Sequence, residues 1–265
     1  MAKVRLDTLL AERGLFASRS RAAASVMAGE VRIGDHGERA AKPGQMVAED
    51  QTLSVDAPAA FVSRGGTKLT NALDAFGLDV TGRRCLDVGA STGGFTDALL
   101  QRGATHVVAL DVAYGELHWS LRTDERVTVV ERTNARTVRP QDLPYAADLI
   151  VADVSFISLT KVLPAVLACA ARPRFDALAM IKPQFEVGRE RLAKGGVVRV
   201  AAHRRAALVA VAEAARSDGA CSVLRFASSG LPGPKGNQES FVWLAEPGRT
   251  GAISDVEAAA RSVEP

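Results

Sequence analysis

The chain has 265 residues, of which 24% are charged and 47% are hydrophobic. This composition is typical of a globular protein rather than a disordered or membrane-like one, and the length suits one large domain and a small one. The N-terminus MAKVRLD lacks the apolar core of a signal peptide, and no apolar run reaches membrane-spanning length. We therefore expect a cytoplasmic protein without a membrane partner.

The net charge is only +3, but its distribution is informative. Residues 1–33 hold the whole excess, with three acidic residues against six basic ones: Lys3, Arg5, Arg13, Arg19, Arg21 and Arg32. A local basic patch indicates a polyanionic partner, with a solvated charged face as the alternative. The three cysteines and four histidines show no metal-ligand spacing, so neither a disulfide framework nor a metal site is expected.

Residues 1–60 are predicted to form a small α+β domain that ends in the Pro/Ala-rich linker DAPAA. Leu6, Leu9 and Leu10 share one face of a first short helix, for which Gly14 fits a C-cap. Ser18 fits the N-cap of a second helix that leads to a strand over Val31–Ile33. We expect this second helix to end near Gly29 and to pack four side chains inward, namely Ala22, Ala23, Val26 and Met27.

The pattern R-L-D-x-x-L-x-x-R-G-L-x-x-S-R-x-x-A, followed by G-E-V-x-I, resembles the S4 RNA-binding domain. In such domains two helices present basic side chains to structured RNA. The resemblance implies phosphate neutralisation and shape recognition, rather than base reading, by Arg5, Arg13, Arg19, Arg21 and Arg32.

Residues 61–250 alternate between apolar strands and helical stretches, which predicts a parallel sheet with helices on both faces. The predicted strands are Arg84–Val88, 107–110, Leu149–Ala152 and 177–181. The segments CSVLRFASS and ESFVWLAE are joined only by LPGPKGNQ, so we expect an antiparallel hairpin at the sheet edge. Residues 251–265 are expected to form a C-terminal helix or tail.

The stretch CLDVGASTGGFTDALL contains a strand, a glycine-rich loop and the start of a helix. It lacks the Lys and Ser/Thr of a Walker A loop, and its glycine spacing departs from the dinucleotide fingerprint, so NAD is a second choice. The pattern D-x-G-x-x-x-G-G resembles the S-adenosylmethionine (SAM) site of Rossmann-like methyltransferases, and an ordinary βα turn is the alternative. That resemblance implies a methionine site at Asp87, Gly89, Ser91, Thr92, Gly93 and Gly94, a ribose contact at Asp111 and an adenine contact at Asn134.

The residues at the strand ends indicate which atom is methylated. Asp153-Val154-Ser155-Phe156 lacks the two prolines typical of enzymes that methylate base amines, and no cysteine ends a strand as a nucleophile. The carboxyl edge instead offers Asp153 and Lys182. To these the chain adds Lys68 in SRGGTKL and Glu239 at the start of the last strand.

The order Lys68, Asp153, Lys182, Glu239 resembles the tetrad of FtsJ-type ribose 2′-O-methyltransferases. Together with the S4-like segment and the motifs IKPQFEVG and GNQE, it makes the whole chain similar to the TlyA (hemolysin A) family of ribosomal RNA 2′-O-methyltransferases. The resemblance implies SAM as cofactor and cytidine ribose in small- and large-subunit ribosomal RNA as substrate. Structural ion pairs are the alternative role for these four residues.

The chemistry requires a group that accepts the proton of the ribose hydroxyl. A desolvated lysine near a second cation loses its own proton more easily, so Lys182 near Lys68 is the candidate base or hydroxyl orienter. Asp153 and Glu239 would position the two ammonium groups. One rival function, a hemolysin-like membrane-active protein, has no support from a spanning segment or a basic amphipathic helix. The intact tetrad argues against a second rival, a catalytically inert RNA-binding protein. The sequence does not indicate an oligomeric state.

Overall fold

The computed structural model describes residues 2–56 and 60–264. The chain divides into two compact units, Met1–Ala59 and Ala60–Pro265. The centre of the predicted linker, residues 57–59, lies outside the described residues. No helix in the described ranges is long and apolar enough to cross a membrane.

The first unit combines two helices with two small antiparallel sheets, which pair β1 with β4 and place β2 between β3 and β5. Its elements are β1 (Lys3–Arg5), α1 (Leu6–Glu12), α2 (Arg19–Ala28), β2 (Val31–Ile33), β3 (Glu38–Arg39), β4 (Met46–Ala48) and β5 (Leu53–Val55). The predicted face of Leu6, Leu9 and Leu10 is buried in its core. The predicted N-cap is confirmed, because Ser18 accepts a hydrogen bond from the backbone N–H of Arg21.

The structure differs from the sequence-based prediction in two details of these helices. Arg13 is the C-cap of α1, and Gly14 follows it with φ +70°, the left-handed conformation that terminates a helix. In α2, Ala22 and Val26 are buried as expected, but Met27 is 77% exposed. The helix packs only a narrow strip of small residues inward, so a side chain one position past Val26 points to solvent.

Asp7 is the buried charged residue of this unit, with only 3% of its surface exposed. Arg5 donates to both of its carboxylate oxygens, at 3.0 and 2.8 Å, and Arg19 donates to one of them at 3.1 Å. The hydrogen bonds from Arg5 make the largest contribution to lowering the pKa of Asp7, and the hydrogen bond from Arg19 adds to it. The pKa therefore lies far below its usual range, although burial raises it. One carboxylate thus orients two arginines of the basic patch.

The second unit is built on a seven-stranded sheet in the order β11-β12-β10-β9-β6-β7-β8. The strands are β6 (Arg84–Val88), β7 (His106–Leu110), β8 (Val127–Val130), β9 (Leu149–Ala152), β10 (Asp176–Ile181), β11 (Ser222–Ser228) and β12 (Ser240–Ala245). All neighbours are parallel except β12, which is antiparallel to β10 and β11. The predicted parallel sheet and its terminal hairpin are confirmed, and β8 adds an edge strand beyond the four predicted ones.

Helices cover both faces of this sheet and bury two hydrophobic clusters. They are α3 (Arg64–Phe76), α4 (Gly94–Gln101), α5 (Trp119–Arg122), α6 (Leu163–Ala168), α7 (Pro183–Glu186), α8 (Ala201–Arg216) and α9 (Val256–Val263). Helices α3 and α4 pack on one face, whereas α6, α8 and α9 pack on the other. The C-terminal helix α9 contacts α8 and β11 within this unit.

The strand order positions the functional edge. The chain enters the sheet at β6 and runs outward in both directions, to β7 and β8 on one side and to β9 and β10 on the other. The loops after β6 and β9 therefore diverge, which opens a crevice at the carboxyl ends of these strands. Because β12 is antiparallel, its first residue, Ser240, lies opposite Ile181 at the same edge.

We predict that replacing Asp7 with Asn makes the free energy of unfolding of the first unit depend less on pH in the acid range. The partners lower the folded pKa of Asp7, so its carboxylate stabilises the fold above its unfolded pKa of about 3.9, and this contribution is lost as the pH falls below that value. Hydrogen exchange of the α1 and α2 amides, compared with wild type at each pH, measures the difference. The protection advantage of wild type should shrink from pH 6 to pH 3, and an advantage that stays constant would contradict the assignment.

Candidate active site

Four charged side chains meet at the carboxyl edge of the second sheet. Lys68 comes from α3, Asp153 follows β9, Lys182 follows β10, and Glu239 precedes β12. All four line one cavity of about 410 Å³, here called the central cavity. The fold thus brings together the four residues selected from the sequence, which are separated by up to 171 positions along the chain.

The four side chains form two ion pairs. Lys68 Nζ lies 2.5 Å from Glu239 Oε2, and both side chains are almost fully buried, at 8% and 1% exposure. Lys182 Nζ lies 2.5 Å from Asp153 Oδ1 and donates its hydrogen bond to Ser155 Oγ at 2.8 Å. Each carboxylate offsets the cost of desolvating one ammonium group, because a buried charge needs a partner.

Two further cavities adjoin the central one. The Asp111 cavity, of about 460 Å³, is lined by Asp111, Glu116 and Asn134 and shares Gly89, Ser91 and Asp153 with the central cavity. The Phe156 cavity, of about 320 Å³, is lined by Phe156, Phe185 and Asn237 and shares Lys182, Pro234 and Glu239 with the central cavity. The ion pairs therefore stand between the Asp111 cavity and the Phe156 cavity.

Close packing explains two glycines of the loop after β6. Gly89 has φ +83°, and a Cβ there would lie 2.6 Å from the backbone oxygen of Asp153. At Gly94, a Cβ would lie 2.9 Å from the backbone nitrogen of Gly66 and would collide with the Ser63 hydroxyl. The N-termini of α3 and α4 thus approach each other at the central cavity, and their backbone N–H groups carry partial positive charge.

The carboxylate of Asp111 organises the same loop. Its Oδ2 accepts a hydrogen bond from the backbone N–H of Ser91 at 2.7 Å, and its Oδ1 accepts one from Ala113 at 2.8 Å. Ser91 adopts φ +47°, which is rare for a residue with a side chain. Each oxygen of Asp111 retains a lone pair for a ligand.

Six of the eight predicted cofactor residues line these cavities, namely Gly89, Ser91, Thr92, Gly94, Asp111 and Asn134. Gly93 does not, because it packs against Leu117 and Leu121. Asp87 does not line these cavities either, since it is 0% exposed and lies beneath the loop. Its Oδ2 accepts a hydrogen bond from the Thr96 hydroxyl at 2.7 Å, so Asp87 supports the start of α4 rather than lining a cavity.

Sequence reasoning missed several residues of the cavities. Ser63 and Arg64 line the central cavity. Both belong to the motif SRGGTKL, in which the sequence-based prediction names only Lys68. Phe156 is 91% exposed with φ +65°, and its ring lies 5.4 Å from that of Phe185. No pattern in the sequence distinguishes such exposed aromatic residues from core residues.

The cysteines are not candidates for nucleophiles. All three are buried, and burial raises the pKa of Cys85 to about 12 and the pKa values of Cys169 and Cys221 to about 11. A thiol must ionise to attack an electrophile. The described residues contain no cluster of three or more metal-ligating side chains either.

The predicted RNA-contacting arginines in the first unit fall into two groups. Arg13 donates to the backbone oxygens of Gln51 and Glu49, and Arg32 pairs with Asp56 at 2.7 Å, so both have structural partners. Arg5 and Arg19 share Asp7, yet remain 47% and 57% exposed. Arg21 is exposed, and its side chain makes no hydrogen bond or ion pair within the described residues.

Comparisons with known proteins agree with this architecture. A model of FtsJ-like methyltransferases matches residues 61–246, and a model of the S4 domain matches residues 4–53. The 16S/23S rRNA (cytidine-2′-O)-methyltransferase TlyA of Mycobacterium tuberculosis is 52% identical over 91% of this chain and 90% of its own. Hemolysin A of Brachyspira hyodysenteriae is 38% identical over 74% and 81%. A solved structure from Streptococcus thermophilus, described as a hemolysin, has a TM-score of 0.73 at 37% identity and covers 99% of this chain and 96% of its own.

The fold, the site and these similarities define the class of protein as a methyltransferase with an S4 domain in front. The chain belongs to the FtsJ-like methyltransferases and, within them, to the TlyA family. The family resemblance and the fold class inferred from the sequence are thereby confirmed.

We predict that Asp87→Asn increases thermal stability most at alkaline pH. Burial, reinforced by the charge of Asp153, raises the pKa of Asp87 to about 7, although the Thr96 hydrogen bond opposes the shift. An acid with a raised folded pKa costs stability as the pH rises from its unfolded pKa of about 3.9 through about 7, and Asn removes that cost.

The melting temperature, followed by tryptophan fluorescence, measures this effect, because Trp119 and Trp243 both lie in the second unit. The difference between Asp87→Asn and wild type should increase from pH 5 to pH 8. The control is Asp74→Asn, which changes a surface carboxylate that is 62% exposed. Its difference in melting temperature from wild type should stay constant over the same pH range. A constant difference for Asp87→Asn as well would show that Asp87 is ionised throughout.

Proposed function

We propose that this chain transfers the methyl group of SAM to the 2′-hydroxyl of cytidine in ribosomal RNA. One observation carries the proposal: two lysine–carboxylate pairs stand where the Asp111 cavity and the Phe156 cavity meet the central cavity. The printed activity of the Mycobacterium tuberculosis relative supports the choice of cytidine and of ribosomal RNA. Such a substrate would place the protein with ribosomes in the cytoplasm.

The Asp111 and central cavities fit SAM by their shape and donor set. Asp111 can accept hydrogen bonds from ribose hydroxyls, and Asn134 lines the same cavity for the adenine edge. The N-termini of α3 and α4, with the Arg64 guanidinium, provide positive potential for the methionine carboxylate. Gly89 allows the ligand to approach the backbone closely. When bound, SAM supplies the methyl group as an electrophile.

The Phe156 cavity suits the acceptor nucleoside. The rings of Phe156 and Phe185 form its apolar wall, and aromatic faces stack with unpaired bases. Lys182 and Glu239 line its inner end, where they also line the central cavity. A ribose held there would present its 2′-hydroxyl to Lys182.

The hydroxyl must lose its proton as it attacks, and we assign Lys182 to accept it after the ammonium of the resting pair has released its own proton to solvent. Asp153, at 2.5 Å, stabilises the ammonium that results and fixes its position together with Ser155. Lys68 and Glu239 form a buried neutral pair that orients the ribose without adding net charge. Proton acceptance by a positioned side chain typically contributes 10²–10⁴-fold to a rate.

The first unit would anchor the RNA. Arg5, Arg19 and Arg21 are the exposed basic side chains that the S4 resemblance selects, and phosphate contacts supply most nonspecific affinity for nucleic acid. Asp7 holds two of these guanidinium groups in fixed positions, which reduces the entropy lost on binding.

We predict that Lys182→Arg and Lys182→Ala both lower single-turnover methyl transfer to ribosomal subunits by about 10²-fold or more. An arginine keeps the positive charge but cannot become neutral, so it cannot accept the proton. The wild-type rate should rise with pH, and both variants should bind SAM with unchanged affinity.

The matched control is Lys161→Arg, the same exchange at an exposed position outside the cavities, which should behave as wild type. Asp111→Ala should weaken SAM binding and thereby show that the binding assay detects a damaged cofactor site. Substantial activity of Lys182→Arg with the wild-type pH profile would make Lys182 an electrostatic positioner of the hydroxyl. Absence of 2′-O-methylation by wild type would refute the function itself.

We predict that replacing Arg5, Arg19 and Arg21 with Ala weakens RNA binding and lowers the slope of log affinity against log salt by about two to three units. Each lost phosphate contact removes about one unit of that slope. The slope is measured by titrating ribosomal RNA at several salt concentrations.

A triple variant of Arg126, Arg139 and Arg216 removes the same charge from the second unit, where each of these arginines pairs with a nearby carboxylate. It should leave the slope nearly unchanged. Arg21→Ala alone should lower the slope by about one unit without a change in protection of α2, because Arg21 has no described side-chain partner to lose. Equal slopes for all variants would move the RNA contact away from β1 and α2.

A further inference from the structure

The loop between β11 and β12, residues 229–239 and here called the acceptor loop, forms one wall of the active site. It carries Glu239 and places Pro234 in both the central and the Phe156 cavities. It contains no helix or strand. Its position therefore depends on contacts made with neighbouring segments.

Helix α3 holds one side of the acceptor loop. Arg64 donates to the backbone oxygen of Pro232 at 2.5 Å, and Asn71 donates to that of Ser229 at 3.0 Å. The Lys68–Glu239 pair adds a third contact at the end of the loop. These contacts come from the helix that also lines the central cavity.

Asn237 holds the opposite side. Its side chain is 2% exposed and uses both ends of its amide, since Oδ1 accepts a hydrogen bond from the backbone N–H of Val198 at 2.8 Å and Nδ2 donates to the backbone oxygen of Gly196 at 3.0 Å. Its own backbone oxygen accepts a hydrogen bond from Gly233 at 2.8 Å, which closes the loop on itself. A single buried side chain thus joins the acceptor loop to the segment before α8.

That segment is anchored in turn by the C-terminal region. Arg204 donates to the backbone oxygens of Val198 and Arg199, at 3.3 and 2.8 Å, and pairs with Glu264 at 2.8 Å. Arg205 donates to the backbone oxygen of Glu264 at 3.0 Å. The Arg204 and Glu264 side chains are only 13% and 7% exposed, so solvent screens this pair weakly.

We propose that Asn237 is a positioning residue for the acceptor nucleotide, and that the Arg204–Glu264 pair extends the same support from the C-terminal end of the chain. Asn237 sets the distance of Pro234 and Glu239 from Lys182 and so determines whether a ribose fits between them. This inference rests on the function proposed above.

The support acts more on the acceptor side than on the cofactor side. No residue of the acceptor loop lines the Asp111 cavity and two of them, Pro234 and Glu239, reach the central cavity, whereas Gly233, Pro234, Lys235, Asn237 and Glu239 line the Phe156 cavity. Loosening the loop should therefore change the interaction with RNA and leave SAM binding intact. A general loss of structure would affect both sides alike.

The test is steady-state methylation of ribosomal subunits by the full chain at saturating SAM, together with SAM affinity by calorimetry. Asn237→Ala removes two buried hydrogen bonds and should raise the KM for subunits by about tenfold, with a smaller fall in kcat and a Kd for SAM within about twofold of wild type. Glu264→Ala should raise the same KM by a smaller factor. Glu264→Gln keeps an oxygen that can accept from Arg204 and should restore most of the wild-type KM.

Gln141→Ala, which truncates an exposed amide in the second unit, is the control and should match wild type. An unchanged KM in Asn237→Ala, a fall in SAM affinity equal to the rise in KM, or a failure of Glu264→Gln to restore the KM would each overturn the positioning role. If wild type itself does not methylate subunits, the proposed function fails. If wild type is active and Asn237→Ala keeps its KM, only this inference fails.

Discussion

The candidate active site depends on placing two ammonium groups and two carboxylates in one small space without uncompensated charge. Lys68 with Glu239 and Lys182 with Asp153 satisfy that requirement pairwise, at 2.5 Å each. Removing any one of the four would leave a charge with poor access to water, which is far more costly than losing an exposed salt bridge. The surrounding helices and strands bring these two ion pairs to the same edge of the sheet.

The sheet topology supplies that edge, and close packing of backbone supplies its shape. Gly89 touches the backbone of Asp153 where β6 and β9 separate, and Gly94 touches the N-terminus of α3. Beside these approaches lie the central cavity and the Asp111 cavity, which share Gly89, Ser91 and Asp153. Asp87 contributes from below, since its carboxyl group holds Thr96 at the start of α4.

The first unit also contains a buried charge that is compensated by partners of opposite charge. It has a core of a few leucines and valines, and a buried carboxylate, Asp7, holds the exposed guanidinium groups of Arg5 and Arg19. The single carboxylate of Asp7 binds both guanidinium groups, and both remain accessible to solvent. This arrangement supports the proposed role of these arginines in RNA binding, because both guanidinium groups are already held in position.

The sequence by itself determined the class of fold and the strand ends, because apolar periodicity and glycine spacing are local signals, and its resemblance to the FtsJ-type tetrad indicated the four charged residues of the candidate site. It also indicated Asp111 and Asn134, which follow strands. Only the tertiary structure decided that Asp87 is buried beneath the loop, that Met27 faces solvent, and that Phe156 lines a cavity. It alone revealed the support of the acceptor loop by Asn237, Arg204 and Glu264, since these contacts join segments up to 60 residues apart. Burial and side-chain pairing arise from the packing of distant segments, and no local pattern records them.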